Sequence, residues 1–137
     1  RMVFMLQLEV ARKVCARAGE DGYGPLSVAR WASHDADILF EVPPSSFEPV
    51  PSVKSAVVML RRTGQKSSIP ADRLMKFTDA VFLSRRKNIK NALLSSPLGL
   101  KQEDIAAAVD QAGLKGTERA EEIEEEKICR LASMLCV

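Results

Sequence analysis

The chain has 137 residues, of which 46% are hydrophobic and 28% charged, so it can bury one moderate core and has room for little more than one domain. Its net charge is only +2, which leaves nucleic-acid binding to local clusters of charge rather than to a global excess. No apolar run approaches the roughly 20 residues of a membrane span, and residues 1–6 lack the apolar core and cleavage site of a signal peptide. We therefore expect a cytoplasmic protein without membrane contact.

Cysteine and histidine give no sign of a metal site. The three cysteines, Cys15, Cys129 and Cys136, are an odd number without C-x-x-C spacing, which argues against both a disulfide framework and zinc. His34, the only histidine, has no second ligand type at metal spacing and is interpreted as a surface or helix-end residue. We expect free, mostly buried thiols and no metal.

The first third of the chain predicts a strand over residues 2–6, a helix over 9–17 that stops before Gly19, a helix over 26–33 and a strand over 37–42. The loop at 19–25 contains three glycines but lacks the G-x-G-x-x-G order of a phosphate cradle. It is predicted to be a plain connection.

Prolines dominate the next segment. Pro43, Pro44, Pro49 and Pro51 each fix φ and push the preceding residue to an extended conformation, which predicts a stiff connector leading into a strand over 55–60. Such a connector holds Phe47 at a fixed place, and spacing alone favours a buried aromatic that closes the end of a sheet. The element order is typical of the second half of an α/β sheet that ends in an antiparallel pair.

A polar stretch marks a linker, which divides the chain into residues 1–62, a linker at 63–70 and a helical region at 71–137. A helix is predicted from 72 to about 94, and four basic residues lie within two of its turns: Arg85, Arg86, Lys87 and Lys90. Such a run is usually a solvated helix face. Nucleic-acid binding is the alternative that charge alone leaves open.

The C-terminal part predicts a helix over 102–112 closed by Gly113, and a last helix from about 118 to 135. Five glutamates between positions 121 and 126 crowd the first turns of that last helix, where acidic side chains favour the macrodipole. We interpret them as a solvated face.

Five short motifs occur in one order: MLQLEVAR at 5–12, YGPLSV at 23–28, VPPSSFEPVPSVKSAVV at 42–58, RRKNIKN at 85–91 and RAEEI at 119–123. Together they span nearly the whole chain. In this order the sequence resembles the C-terminal half of the small-subunit ribosomal RNA adenine dimethyltransferases, the KsgA family, whose cousins are the Erm-type enzymes.

The resemblance implies an α/β fold: the second half of a Rossmann-like methyltransferase sheet followed by a small all-helical RNA-binding domain. It implies an S-adenosylmethionine-dependent enzyme that dimethylates N6 of two adjacent adenines near the 3′ end of small-subunit ribosomal RNA. Phe47 matches the family aromatic that packs against the flipped target adenine, and Arg85, Arg86, Lys87 and Lys90 match the basic motif that grips RNA phosphates. Two positions depart from the pattern: Ser52 stands where a basic residue is common, and Lys54 where Asp or Asn is common.

The family motifs that bind the cofactor and orient the target amine are a glycine-rich loop, acidic residues after later strands and an Asn-Leu-Pro-Tyr-like motif. They are absent from this sequence, so no catalytic or cofactor-binding residue is assigned in it. We expect them upstream of Arg1, and we expect the chain alone to bind no cofactor and to be inactive. The alternative is a non-catalytic RNA-binding or ribosome-assembly module that has lost the cofactor half. An unpaired strand edge at 2–6 would also permit dimerisation.

Overall fold

The computed structural model describes residues 1–135, so the prediction for the thiol of Cys136 lies outside the described residues. The strands are β1 (Met2–Gln7), β2 (His34–Val42) and β3 (Ser55–Arg62). The helices are α1 (Leu8–Cys15), α2 (Pro25–Trp31), α3 (Ala71–Phe82), α4 (Ile89–Leu94), α5 (Gln102–Gln111) and α6 (Glu125–Leu135), with short 3₁₀ helices at Pro44–Ser46 and Ala120–Glu122. Within residues 1–135, no helix is both long and apolar enough to cross a membrane.

The strands form one antiparallel sheet in the order β1-β3-β2, which confirms the three predicted strands and the antiparallel pairing of the last two. Strand β2 starts at His34, three residues earlier than predicted, because its first residues pair with the far end of β3. His34 is therefore a half-buried strand residue, and its Nδ1 lies 2.8 Å from the hydroxyl of Ser33. A bulge between Ile38 and Phe40 shifts the register of β2.

The two faces of the sheet differ. Helix α1 covers one face, where Ala11 packs with Ala56 and Val58 of β3 in a small core cluster. On the opposite face apolar side chains remain open, with Val3 59% exposed and Phe40 57% exposed. Alternation along the strands accounts for this arrangement, since successive side chains point to opposite faces.

The larger core lies among the helices. Its fully buried members include Phe77, Leu93, Ile128 and Leu131, all on α3, α4 or α6. Residues from before the predicted linker also belong to it, among them Tyr23. Both sides of the predicted linker thus share one core, and the division into domains stays a prediction.

Helix α5 and its glycine cap match the prediction closely. Gly113 has φ +74°, its N–H donates to Asp110 O at 3.0 Å, and the N–H of Leu114 donates to Val109 O at 3.0 Å. This pair of bonds is the Schellman motif, which needs the left-handed conformation that glycine adopts without strain.

The helix predicted over 118–135 is wrong in its first turns, since α6 begins only at Glu125. A 3₁₀ helix precedes it, and Ile123 is extended and buried. The prediction that the acidic side chains form a solvated face is wrong for Glu125. Its side chain is 12% exposed and lies 3.9 Å from that of Arg30, which is 10% exposed. A charge at the start of α6 therefore joins two helices.

The helix predicted over 9–17 ends at Cys15, because Ala16 turns extended and enters the larger core. Cys15 is half-buried and Cys129 is buried, and within residues 1–135 both are free thiols. Burial raises the pKa of the Cys129 thiol to about 11.

Candidate nucleic-acid interface

Phe47 lies at the end of the 3₁₀ helix Pro44–Ser46, where its N–H donates to Pro44 O at 3.1 Å. The side chain is half-buried and belongs to neither core cluster. Its neighbours in the same loop, Val50 and Val53, are 66% and 44% exposed. The loop thus presents apolar side chains to solvent, and the buried position that spacing favoured for Phe47 is not found.

The basic run occupies a turn between two helices, so the single helix predicted over 72–94 is wrong. Helix α3 ends at Phe82, the N–H of Lys87 donates to Ser84 O at 3.0 Å, and α4 starts at Ile89. Asn88 explains the break, because its side-chain oxygen accepts from Asn91 N at 2.9 Å and caps α4. Arg86 and Lys87 consequently project from a turn rather than from a helix face.

The turn is tied to a distant segment of the chain. Asn88 forms a bridge with Arg119, and the N–H of Ile89 donates to Glu118 O at 2.7 Å. In the neighbouring turn, a Cβ on Gly116 would overlap the side chain of Lys90. The Lys90 side chain therefore packs against the backbone of Gly116. The basic side chains are therefore carried on a well-supported backbone.

Arg85 differs from the other three basic residues because it is partly engaged. Its Nη1 donates to Tyr23 O at 3.1 Å, and its guanidinium carbon lies 5.4 Å from the centre of the Phe82 ring. A Cβ on Gly24 would lie 3.1 Å from Nη2 of Arg85, which explains a glycine at this close approach. Arg85 thus ties the loop before α2 to the end of α3.

Tyr23 completes this junction, and sequence reasoning missed it. Its ring is 1% exposed and packs edge-on against Phe82 at 5.8 Å, while its hydroxyl donates to Ile123 O at 2.7 Å. Burial raises the pKa of this phenol far above its ordinary value. One feature of the sequence could have pointed to this residue: it is the only tyrosine of the chain, and it lies next to two glycines and a proline.

A cleft of about 590 Å³ opens beside Arg85. It is bounded by the turn from β1 to α1, the loop before α2, the end of the proline segment and the basic turn. Its lining residues are Gln7, Leu8, Glu9, Arg12, Lys13, Asp21, Gly22, Val53, Lys54 and Arg85. The N–H of Leu8 donates to Lys54 O at 2.9 Å, and this bond joins the start of α1 to the end of the proline segment.

Basic side chains exceed acidic ones in the cleft by four to two. Arg12 is paired with Glu41 at 3.7 Å and Lys13 with Glu9 at 3.4 Å. Lys54 and Arg85 have no carboxylate within 4 Å in residues 1–135. The same holds, over the described part of the chain, for Arg86, Lys87 and Lys90.

Five exposed, unpaired cations therefore occur in the described residues along the cleft, in the adjoining turn and at the start of α4. Arrangements of this kind attract phosphate. In contrast, no group of acidic, histidine and cysteine side chains among residues 1–135 could hold a metal ion.

The sequence model of the ribosomal RNA adenine dimethylase family matches residues 1–136. The chain belongs to that family. A ribosomal RNA small subunit methyltransferase A from Chelativorans sp. (strain BNC1) is 37% identical over 131 residues, covering 96% of this chain. The chain spans 45% of the length of that relative.

Two solved structures resemble the fold. The 23S rRNA methyltransferase ErmE superposes with a TM-score of 0.59 at 28% identity, covering 97% of this chain and 53% of the other. A dimethyladenosine transferase from Plasmodium falciparum reaches a TM-score of 0.76 at 19% identity, covering 94% and 54% respectively. These likenesses agree with the α/β class of the fold.

Proposed function

We propose that this chain is the target-base and RNA-gripping part of an S-adenosylmethionine-dependent enzyme that dimethylates N6 of two adjacent adenines near the 3′ end of small-subunit ribosomal RNA. The observation that carries the proposal is a set of five cations that have no carboxylate partner in residues 1–135, Lys54, Arg85, Arg86, Lys87 and Lys90, in a chain of the dimethylase family. The enzyme acts in the cytoplasm, where ribosomal subunits are assembled.

The cations act on phosphates. Contacts with the RNA backbone fix its position and orientation but carry no sequence information. Since Arg86, Lys87 and Lys90 are exposed on a braced backbone, they reach phosphates without rearrangement of the fold. Arg85 contributes less directly, because part of its guanidinium is used to hold Tyr23.

Phe47 acts on the target base. A base that is to be methylated must leave its stack, and an aromatic face offers a stacking partner worth about 1–3 kcal/mol. A half-buried ring outside both core clusters has a face to offer while its backbone is held by the proline segment.

The cofactor does not fit the residues described here. In the cleft, its positively charged sulfonium would lie among Arg12, Lys13, Lys54 and Arg85. No strand of residues 1–135 leads into a glycine-rich loop: β1 runs straight into α1, and β2 runs into Pro43. We infer that the cofactor is bound by sequence outside these residues, and we expect the chain alone to be inactive.

A second candidate function is a non-catalytic RNA-binding module, since the lack of a cofactor site in residues 1–135 is compatible with it as well. The coding sequence distinguishes the two. The proposal requires that the reading frame continue upstream of Arg1 into a glycine-rich loop and an Asn-Pro-aromatic motif. A stop codon or an unrelated domain upstream would leave the non-catalytic module.

Methyl transfer by the complete protein tests the proposed role of Phe47. Phe47→Ala should lower methyl transfer to small-subunit RNA at least tenfold while RNA binding stays within a few-fold, because stacking of one base is lost and phosphate contacts remain. The control is Phe40→Ala, which removes a ring of β2 that is 57% exposed in this chain. Equal effects of the two changes would remove Phe47 from the target site.

The outer edge of β1 is the proposed place of association. Among residues 1–135 this strand pairs only with β3, and four of its residues in succession are at least 41% exposed: Met2, Val3, Phe4 and Met5. Unpaired edges of this kind recruit further strands. The protein should therefore self-associate as its concentration rises, and light scattering that gives one monomeric mass at all concentrations would contradict this.

A further inference from the structure

The cleft combines two kinds of lining that together match the parts of a nucleotide. Leu8 and Val53 supply apolar surface, and Val53 is 44% exposed. Lys54 and Arg85 supply cations that are free of carboxylate partners in the described residues. A positively charged groove tracks the backbone of single-stranded nucleic acid, and apolar surface beside it can pack against the face of a base.

The volume and the charge of the cleft agree with such an occupant. About 590 Å³ falls within the range of clefts that hold small ligands. Four basic and two acidic lining residues give the cleft a net positive charge, which suits the phosphate of a nucleotide.

The backbone around the cleft is held before any ligand arrives. The bond from Leu8 N to Lys54 O joins the start of α1 to the end of the proline segment. On the other side, Arg85 is fixed to Tyr23 O at 3.1 Å. Preorganised groups of this kind bind with a smaller loss of conformational entropy.

We propose that this cleft binds a nucleotide of single-stranded RNA next to the target adenine, with its base against Leu8 and Val53 and its phosphate between Lys54 and Arg85. Gln7 and Asp21 then face the polar edge of the base or the ribose hydroxyl, which distinguishes RNA from DNA. The proposal rests on the proposed function and adds a second base-binding place to Phe47. It also gives a role to Lys54, where the family pattern has Asp or Asn.

Substitutions separate the two halves of the nucleotide. Lys54→Ala should weaken binding of a single-stranded RNA from the small-subunit 3′ end about three- to tenfold at low salt, and should reduce the slope of log K against log salt by about 0.7. Val53→Ala should weaken binding by a similar factor without changing the slope, because a base contact releases no counterion. Lys101→Ala is the control, since that exposed lysine lines no part of the cleft.

Photo-crosslinking with the same RNA carrying 4-thiouridine locates the contact. Cross-links to peptides containing Leu8 or Val53 would support the proposal. Cross-links confined to Arg86 and Lys87, with unchanged affinity in the Lys54 and Val53 variants, would overturn it while leaving RNA binding by the basic turn in place. An unaltered protein that shows no affinity for the RNA at low salt would contradict the proposed function itself, and this proposal with it.

Discussion

The sheet and the helical region of this protein are built on very different amounts of buried surface. Around the sheet only Ala11, Ala56 and Val58 form the described buried cluster, and large apolar side chains of β1 and β2 stay open to solvent. Among the helices, aromatic and branched residues of α3 to α6 fill a continuous core. Since apolar burial is the main stabilising contribution, the helical region holds the molecule together and the sheet depends on it.

The two regions meet at Tyr23, Phe82 and Arg85, and the cations of the proposed RNA surface lie next to that junction. The loop before α2 is thereby bonded to the end of α3 and to the segment before α6. This junction therefore links the segments that carry the proposed phosphate contacts and the proposed base contacts.

Phenylalanines in the two regions should respond very differently to truncation. Phe77→Ala should lower the free energy of unfolding by about 3–5 kcal/mol, because the ring is fully buried in α3 and leaves a cavity. Phe40→Ala should cost less than about 1 kcal/mol, since 57% of that residue is already exposed. Urea unfolding measures both, and losses of equal size would contradict the contrast between the two regions.

Two neighbouring glutamates test the charge that joins α2 to α6. Glu125→Gln should lower the free energy of unfolding by about 1–3 kcal/mol, because it leaves the shielded guanidinium of Arg30 without its carboxylate. Glu126→Gln removes an exposed pair with Arg130 at 3.6 Å and should change stability by less than about 0.5 kcal/mol. If the second change costs as much as the first, Glu125 has no special role.

Tyr23→Phe removes one hydrogen bond at the junction and keeps the ring against Phe82. The carbonyl of Ile123 then loses its donor in a buried place, so unfolding should become easier by about 1 kcal/mol. Thermal unfolding followed by circular dichroism gives the change. An unaltered midpoint would show that the hydroxyl does not hold the two segments together.

Glu118 should produce the smallest effect, and one that depends on pH. Its carboxylate accepts the N–H groups of Lys115 and Gly116 at 2.9 Å each, and these bonds hold the pKa below its ordinary value near 4.5. A lowered pKa in the folded state contributes stability that is present above pH 4.5 and is lost as the pH falls through the lowered pKa.

Glu118→Gln should therefore flatten the fall in stability below pH 4.5, as measured by unfolding at a series of pH values. Glu103→Gln, at an exposed position on α5 with no hydrogen bond or ion pair in the described residues, is the matched control. Identical pH profiles for the two variants would contradict the role of Glu118.

The sequence predicted the three strands, α5 with its Gly113 cap and the free state of Cys15 and Cys129, because alternation, capping residues and cysteine spacing are local signals. Prediction from the sequence failed where a single side chain or a distant contact determines the local structure. Asn88 caps α4 and so breaks a helix that hydrophobic spacing alone would continue through the basic run.

Long-range contacts account for the remaining misses at the candidate site. The bond from Tyr23 to Ile123 spans 100 residues, and that from Arg85 to Tyr23 spans 62. Neither leaves a periodic signal in the sequence. The cleft was missed for the same reason, since it is lined by four segments that are far apart along the chain.

The salt dependence of RNA binding tests the central claim most directly, namely that the unpaired cations of the basic turn contact phosphates. For the unaltered protein, log K for small-subunit RNA should fall linearly with log salt. Arg86→Ala with Lys87→Ala should reduce the slope by about 1.4 to 1.8, as expected for two lost phosphate contacts. Lys76→Ala with Lys101→Ala, at two exposed lysines outside the turn, should leave the slope unchanged. Equal slopes for the unaltered protein and the Arg86, Lys87 variant would contradict the account.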